Sequence, residues 1–280
     1  MPDNPFDFIP SLEGYNEGPN GAHRLNRRYD MIVAPFKAEL SDARVLDLAS
    51  HDGRWPYALA HAGAREVVGI EARKALIDRF AAFPDDAAKG RVRLRQGDIF
   101  AGMEELAAAG ETFDVVAVYG IFYHITEHYR LVLLAQALKP KLIIIDSEFI
   151  VASDGPIVRF MREETSNTLN TVARAEGHGV ELVATPSMRL VDVFGEVTGW
   201  STEWIDWDVL PAEERAGLGD YFRQNAQRRR GTVALRPLDA FDPKEKRPRV
   251  WVDPRDGSRK TDSVPCERRL EGVATRARQA

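Results

Sequence analysis

The chain has 280 residues, of which 44% are hydrophobic and 29% charged, a composition typical of a soluble protein built on one large domain. Its 38 Lys and Arg residues against 43 Asp and Glu residues give a net charge of −5, which argues against a large nucleic-acid partner. The single cysteine, Cys266, excludes an intramolecular disulfide. Since the chain also shows no long uncharged apolar run and no basic-then-apolar leader, we expect a cytoplasmic protein without a membrane span.

The N-terminal segment, residues 1–42, contains two kinds of sequence. Residues 1–22 are rich in Pro, Gly, Asn and acids, which predicts a loop or mobile arm. The residues from Gly21 to Leu40 then place apolar side chains on one helical face, which predicts a helix.

A strand, a tight loop and a helix follow. The apolar run that starts at Arg44 ends in an acid, Asp47, and a loop of small and polar residues closes on Gly53 before a helical pattern over 55–62. Continuous Val, Ile and Leu runs, separated by helical patterns over 74–83, 101–109 and 127–138, predict four further strands: 66–71, 91–98, 113–120 and 141–146. Such runs suit strands covered on both faces, so we predict an α/β fold with a doubly wound parallel sheet.

Beyond the fifth predicted strand the sequence shows no regular apolar pattern until two further predicted strands. Residues 149–185 form a long polar insertion, which we expect to be a lid over the pocket. A helix over 186–194 and strands over 202–207 and 229–237 complete a main domain that spans residues 43–237. From residue 238 to residue 280 the composition predicts a mostly irregular tail, in which 249–252 is the only apolar stretch.

The first strand–loop–helix unit has the order of a nucleotide-binding fold but not its phosphate cradle. The loop carries one glycine where dinucleotide enzymes carry three, which favours a nucleoside without a pyrophosphate. Glu71 ends the second strand and follows Asp47 at close to the ~20 residues at which an acid meets a ribose in such folds.

With these features the chain resembles the class I S-adenosylmethionine-dependent methyltransferases. Asp47 and Gly53 match the family's first motif, whereas Ala49 and His51 stand where the family usually has glycine. The resemblance implies a seven-stranded Rossmann-like sheet whose last strand runs antiparallel beside the fifth, and S-adenosyl-L-methionine as cofactor. It implies that Glu71 binds the ribose hydroxyls and that Asp98 faces the adenine amine. The implied cofactor contacts are Asp47, Ala49, His51, Gly53, Glu71, Ala72, Asp98, Ile99 and Tyr119.

The segment after the fourth strand supplies a candidate base. Residues 119–125 resemble the corresponding segment of the tRNA wobble-uridine carboxymethyltransferases and their small-molecule relatives, which also carry a Tyr-His pair there. A hydroxyl nucleophile needs a general base, for which histidine is the usual choice, so His124 is a candidate catalytic residue. Equally, His124 could cap the next helix or contact the cofactor through its ring.

Two acids leave the fifth strand on one face, because a strand repeats every two residues. Asp146 and Glu148 could hold Mg²⁺, which would lower the pKa of a substrate hydroxyl and make Asp146 catalytic. Alternatively, one acid binds the substrate or an arginine and the other faces solvent. Glu163 in the insertion is a further candidate for metal or substrate binding.

Aromatic and basic residues suggest how a substrate is bound. Tyr123 and Trp204 could stack on a polar ring such as a sugar, although tryptophans in strands more often pack in the core. Arg24, Arg27 and Arg28, with the arginines at 228–230, could contact phosphates, but a solvated patch or a carboxylate clamp fits the negative net charge better.

These features predict an O-methyltransferase that acts on a hydroxyl of a small polar substrate, such as a saccharide or a natural-product intermediate. One alternative is a transferase that adds methyl or carboxymethyl groups to a tRNA base. Another is a non-catalytic regulator that binds S-adenosylmethionine as a signal. The sequence leaves open whether the protein is a homodimer.

Overall fold

The computed structural model describes residues 4–12, 18–223 and 226–240, together with the backbone of 249–252 and 259–262. Its strands are β1 (Arg44–Leu48), β2 (Glu66–Glu71), β3 (Val92–Gln96), β4 (Val115–Tyr119), β5 (Leu142–Ile150), β6 (Val158–Glu164), β7 (Val180–Pro186), β8 (Trp200–Trp204), β9 (Arg228–Pro237), β10 (Arg249–Val252) and β11 (Arg259–Asp262). Its α-helices are α1 (Gly21–Ile32), α2 (Lys37–Leu40), α3 (Arg54–His61), α4 (Lys74–Arg79), α5 (Ile99–Ala108), α6 (His128–Ala137) and α7 (Met188–Thr198).

Seven strands form one sheet in the order β3-β2-β1-β4-β5-β9-β8. The strands β1 to β5 run parallel, and β9 pairs antiparallel with β5 and with β8. This arrangement confirms the predicted doubly wound, seven-stranded Rossmann-like methyltransferase fold. The strand order reverses between β1 and β4, where the carboxyl ends of the strands leave a crevice.

Both faces of the sheet are buried, which explains the continuous apolar runs. Every residue of β4 and β5 is buried. Alternate side chains of one strand enter different cores: Val115 packs with α1 and α3, and Val116 packs with α5 and α6. Helices on both faces therefore cover the sheet, as a parallel arrangement requires.

The N-terminal segment differs from its prediction in two respects. The predicted helix over 21–40 is split into α1 and α2 by a 3₁₀ turn around Pro35, since proline has no N–H to donate. Residues 4–12, predicted as a loop or mobile arm, form turns and a short 3₁₀ helix that are packed rather than mobile: Phe6 and Ile9 are almost fully buried, and the Phe6 ring lies edge-on against Trp55, with centroids 5.3 Å apart. This apolar anchoring holds the arm beside α3.

The insertion, residues 149–185, contains a hairpin of its own. Its strands β6 and β7 pair antiparallel, and residues 165–179 connect them. The hairpin is held against the segment after β4: the N–H of Ala184 donates to the carbonyl of Ile125 at 3.1 Å, and His128 Nε2 lies 3.0 Å from the carbonyl oxygen of Ala184. The insertion therefore stands at the carboxyl end of β4.

In the C-terminal unit, which begins at residue 242, the structure describes only residues 249–252 and 259–262. Within it β10 and β11 pair antiparallel, so 249–252 is a strand where the sequence predicts a mostly irregular tail, in keeping with its β-favouring Val and Trp residues. Most of the predicted tail, and Cys266, lie outside the described residues. Among the residues that are described, none of the helices has the length and apolar character needed to cross a membrane.

Candidate active site

The carboxyl ends of β1 to β4 open on a cavity of about 770 Å³. Helix α1 and residues 168–174 of the insertion form its other walls. Many of the residues predicted from the sequence line this cavity: Ala49, His51, Glu71, Ala72, Asp98, Ile99, Tyr119, Tyr123 and His124. The cavity is within the size range of small-molecule sites, which run to about 1,000 Å³.

The loop between β1 and α3 keeps a left-handed backbone without the usual glycines. Ala49 has φ of 57° and His51 has φ of 52°, although a left-handed non-glycine residue costs about 1–2 kcal/mol. Gly53 has φ of 83°, and a Cβ there would lie 2.4 Å from the Phe80 ring. The two departures from the family motif therefore change the side chains but preserve the left-handed turns.

Glu71 is the best-positioned candidate for a cofactor contact. Its Oε2 accepts the N–H of His51 and its Oε1 accepts the N–H of Arg73, both at 2.9 Å. The carboxylate is almost fully buried, so these two bonds fix its orientation at the cavity wall. Its remaining lone pairs can accept hydrogen bonds from ribose hydroxyls.

Asp98, which is predicted to face the adenine amine, also caps the N-terminus of α5. As the N-cap of α5, it accepts the N–H groups of Phe100 at 2.9 Å and Ala101 at 3.0 Å, both through Oδ1. Since both bonds use Oδ1, an adenine amine would be bound through Oδ2.

Asp47 and Gly53 do not line the cavity, which differs from their predicted role as cofactor contacts. Within the described part of the chain, neither carboxylate oxygen of Asp47 has a hydrogen-bond partner. Burial, with a smaller effect from Glu71, raises the pKa of Asp47 well above its usual value. Asp47 thus lies beneath the loop rather than at its surface.

His124 lies at the cavity wall with one ring nitrogen engaged. Its Nδ1 is 2.6 Å from Oε2 of Glu163 on β6, and that oxygen also accepts the N–H of Thr171 at 2.8 Å. Burial raises the pKa of Glu163, but the bonds from His124 and Thr171 outweigh it and lower the pKa overall. The ionised carboxylate accepts the Nδ1 proton, which leaves Nε2 as the nitrogen available to a substrate. Glu163 does not itself line the cavity, so it is a partner of His124 rather than the predicted substrate contact.

Asp146 cannot act as the predicted catalytic or metal-binding carboxylate, because each of its two carboxylate oxygens already accepts two hydrogen bonds from the protein. Its Oδ1 accepts Arg28 Nη2 at 2.7 Å and Arg230 Nε at 2.8 Å, and its Oδ2 accepts the hydroxyls of Tyr221 and Thr232 at 2.8 Å. Although burial opposes ionisation, Arg230 and Arg28 keep the pKa of Asp146 below its usual value. Two guanidinium groups hold the position where a cation would bind.

Two other sequence-based assignments are also corrected. Glu148 lies away from the cavity and is paired with Arg223 and Arg228, each at 3.1 Å. Trp204 is partly buried: it packs edge-on against Phe149 at the edge of the core, and its Nε1 donates to Asp192 at 2.9 Å. It does not line the cavity. Among the described residues, no cluster of three or more His, Cys, Asp or Glu could hold a metal ion.

Two of the arginines that the sequence offers as a carboxylate clamp or a solvated patch lie at the cavity wall, a position that the sequence alone does not show. Arg28 on α1 and Arg230 on β9 line the cavity, and Trp55 packs beside Arg28. The clustered arginines at 24–28 and 228–230 are the only sequence signal for them, and that signal does not show that the two clusters meet.

Comparison with known proteins gives a partial match in sequence. Residues 45–141 match a family model described as a methyltransferase domain. A tRNA U34 carboxymethyltransferase from Marinobacter nauticus is 33% identical over 121 residues, which are 43% of this chain and 33% of that protein. The chain therefore spans about one third of the length of the curated relative it matches.

Solved structures match over more of the chain. The N-terminal domain of EvdMO1, determined with SAH bound, is 21% identical with a TM-score of 0.55, over 79% of this chain and 85% of that one. The same domain was also determined in the presence of SAH and D-fucose. An S-adenosylmethionine-dependent methyltransferase from Mesorhizobium loti is 14% identical with a TM-score of 0.51, over 76% of this chain and 99% of that one. At these identities the comparison establishes the fold.

Proposed function

Because the chain belongs to the class I S-adenosylmethionine-dependent methyltransferase superfamily, we propose that it methylates a hydroxyl of a small polar acceptor. The acceptor class we favour is a saccharide or a natural-product intermediate. The observation that carries the proposal is the His124–Glu163 pair at the wall of the cavity that also contains Glu71 and Asp98.

Glu71 and Asp98, at the ends of β2 and β3, have the hydrogen-bond acceptors that S-adenosylmethionine needs. Glu71 is a buried carboxylate fixed by two backbone N–H groups, which suits the two hydroxyls of a ribose. Asp98 has a second carboxylate oxygen for an amine. When bound, S-adenosylmethionine supplies a methyl group activated by its sulfonium, so the protein mainly has to position the nucleophile and handle its proton.

His124 is suited to take that proton. Ionised Glu163 fixes the tautomer with hydrogen on Nδ1, so the lone pair on Nε2 can accept the proton of an acceptor hydroxyl. The same carboxylate stabilises the imidazolium that forms. A positioned base of this kind contributes about 10²–10⁴-fold to the rate.

The size of the cavity favours a small acceptor. Its volume of about 770 Å³ would have to hold both the cofactor and the acceptor. Residues 168–174 of the insertion line one side of it. The presence of D-fucose with SAH in a study of the EvdMO1 domain supports a sugar as the acceptor class.

Modification of a tRNA base is the second candidate. The partial match to a tRNA U34 carboxymethyltransferase and the Tyr123-His124 pair favour it, whereas the net charge of −5 opposes it. Salt-sensitive binding of tRNA would support this alternative over the small-molecule proposal.

A turnover screen with S-adenosylmethionine tests the proposal. The full chain is incubated with saccharides, phenolics or tRNA, with and without Mg²⁺, and SAH and the methylated product are measured. We expect SAH to form only with a hydroxyl-bearing small molecule and independently of Mg²⁺. Formation of SAH with tRNA alone would favour the alternative, and cofactor binding without turnover on any acceptor would favour a regulator.

A further inference from the structure

Two buried arginines share one carboxylate at the wall of the cavity. Arg28 and Arg230 are each only 8% exposed, and both line the cavity. Arg28 uses Nη2 for Asp146 and Nε for the hydroxyl of Tyr221, while Arg230 uses Nε for Asp146. The Arg28 guanidinium also lies over the Trp55 ring, 4.6 Å from its centroid, which fixes its plane.

The charges of this cluster do not balance. A further acid beside Arg230, Asp220, forms a bidentate ion pair with Arg24, with both N–O distances 2.7 Å. Three guanidinium groups therefore face two carboxylates, which leaves one excess positive charge in a largely buried position. An excess buried charge is costly unless an opposite charge is bound beside it.

The excess charge lies next to the proposed base. A Cβ added to Gly120 would be 3.4 Å from Nη2 of Arg230, so the end of that guanidinium is at the carboxyl end of β4. The Cζ of Arg230 is 5.7 Å from the ring centroid of Tyr123, whose ring packs against His124 with centroids 3.9 Å apart.

We propose that Arg28 and Arg230 bind a carboxylate of the acceptor, so that the substrate is a hydroxy acid such as a uronic acid or a phenolic acid. This inference rests on the proposed methyl transfer and specifies its substrate class. The planar guanidinium fork matches a carboxylate, and one excess positive charge matches a single negative charge better than a phosphate dianion.

The sheet order places this anion site on the acceptor side. Glu71 and Asp98 follow β2 and β3, which lie on one side of β1, whereas Arg230 is on β9, beyond β4 and β5. The carboxylate of the cofactor itself could also bind these two arginines. The affinity of Arg230→Gln for SAH distinguishes the two carboxylates.

Acid–amide pairs test the inference directly. Calorimetry on the full chain saturated with SAH compares D-glucuronate with D-glucuronamide, and 4-hydroxybenzoate with 4-hydroxybenzamide. We expect at least one acid to bind about tenfold or more tightly than its amide, the scale of one charge-assisted hydrogen bond. Arg230→Gln should remove that preference, and Arg230→Lys should restore it in part. The control Arg236→Gln, on the same strand but paired with Glu39 and Glu203, should keep it.

Three outcomes of the acid–amide comparison would overturn the inference. These are equal binding of acids and amides, no acid binding at about 10 mM, or an unchanged preference in Arg230→Gln. Weaker SAH binding by Arg230→Gln would assign the anion to the cofactor and also overturn it. The wild-type comparison needs no variant, so a folding defect cannot decide the outcome. Methyl transfer to neutral acceptors without preference for acids would contradict this inference and leave the proposed function standing.

Discussion

Nδ1 of His124, which follows β4, lies 2.6 Å from Oε2 of Glu163 on β6. One residue belongs to the parallel sheet domain and the other to the insertion. Because the same Glu163 oxygen accepts the N–H of Thr171, the orientation of the candidate base depends on the insertion being in place. The insertion therefore both lines the cavity and fixes the imidazole.

Glu163→Gln tests this positioning role. A neutral amide cannot stabilise the imidazolium and does not enforce the tautomer with hydrogen on Nδ1, so kcat should fall by about tenfold or more. SAH affinity should stay at the wild-type value, since Glu163 does not line the cavity. The control Glu164→Gln changes an exposed carboxylate one residue further along β6 and should leave kcat unchanged. Equal kcat values in the two variants would contradict the positioning role.

Glu71→Ala should weaken cofactor binding. Its loss leaves the N–H groups of His51 and Arg73 without their acceptor and removes the partner of the ribose hydroxyls, at a cost of about 1–3 kcal/mol. Calorimetric titration with SAH measures the effect. Glu66→Ala, at the other end of β2 and paired with Arg44, is the control and should bind SAH as the wild type does. An unchanged affinity in folded Glu71→Ala would refute the assignment.

Asp146→Asn should reduce stability in a pH-dependent way. Arg230 and Arg28 lower the pKa of Asp146 in the folded protein, so its charge stabilises the fold above the unfolded-state pKa of about 3.9. That contribution is lost as the pH falls through the lower folded-state value. Breaking a buried ion pair costs about 3–5 kcal/mol, so the variant should show a deficit of this order at pH 7.

Urea denaturation between pH 7 and pH 3 checks this expectation. The difference in unfolding free energy between wild type and Asp146→Asn should be constant down to about pH 4 and shrink below it. Asp208→Asn, whose side chain is 74% exposed, should show no comparable difference. A deficit that stays the same at pH 3 would show that the charge of Asp146 does not stabilise the fold.

Arg73→Ala should loosen the insertion. Its guanidinium donates to the carbonyls of Thr168, Asn170 and Thr171 at 3.4, 3.0 and 3.1 Å, so it fastens residues 165–179 beside Glu71. Limited proteolysis should cut this segment faster in the variant, and SAH should protect the wild type. The neighbouring Lys74→Ala, which removes only an exposed pair with Asp78, should be cut at the wild-type rate. Identical cleavage of all three proteins would argue against this fastening role.

Local patterns explain which features could be predicted from the sequence. Strands covered on both faces require continuous apolar runs, and the carboxyl ends of parallel strands meet at the crevice, so the places of Glu71 and Asp98 were predictable. The same rule fails for Asp47, which lies beneath the loop after β1. Alternation along a strand shows that Asp146 and Glu148 share a face, but it does not show what that face meets.

The features that could not be predicted depend on contacts between distant segments. Arg28 and Asp146 are 118 residues apart in sequence, and His124 and Glu163 are 39 apart. Trp204 is an aromatic residue of the kind that binds sugars, yet it packs against Phe149, donates to Asp192 and does not line the cavity.

The rate of methyl transfer in His124→Ala tests the central claim most directly. SAH formation and the methylated acceptor are measured together in wild type, His124→Ala and His178→Ala, with SAH affinity as the check on the cofactor site. His178 provides the matched control, because it is also paired with a glutamate, Glu181, at 3.1 Å but lies outside the cavity. We predict a loss of about 10²–10⁴-fold for His124→Ala, unchanged SAH affinity and a wild-type rate for His178→Ala. Wild-type turnover in His124→Ala would contradict this prediction.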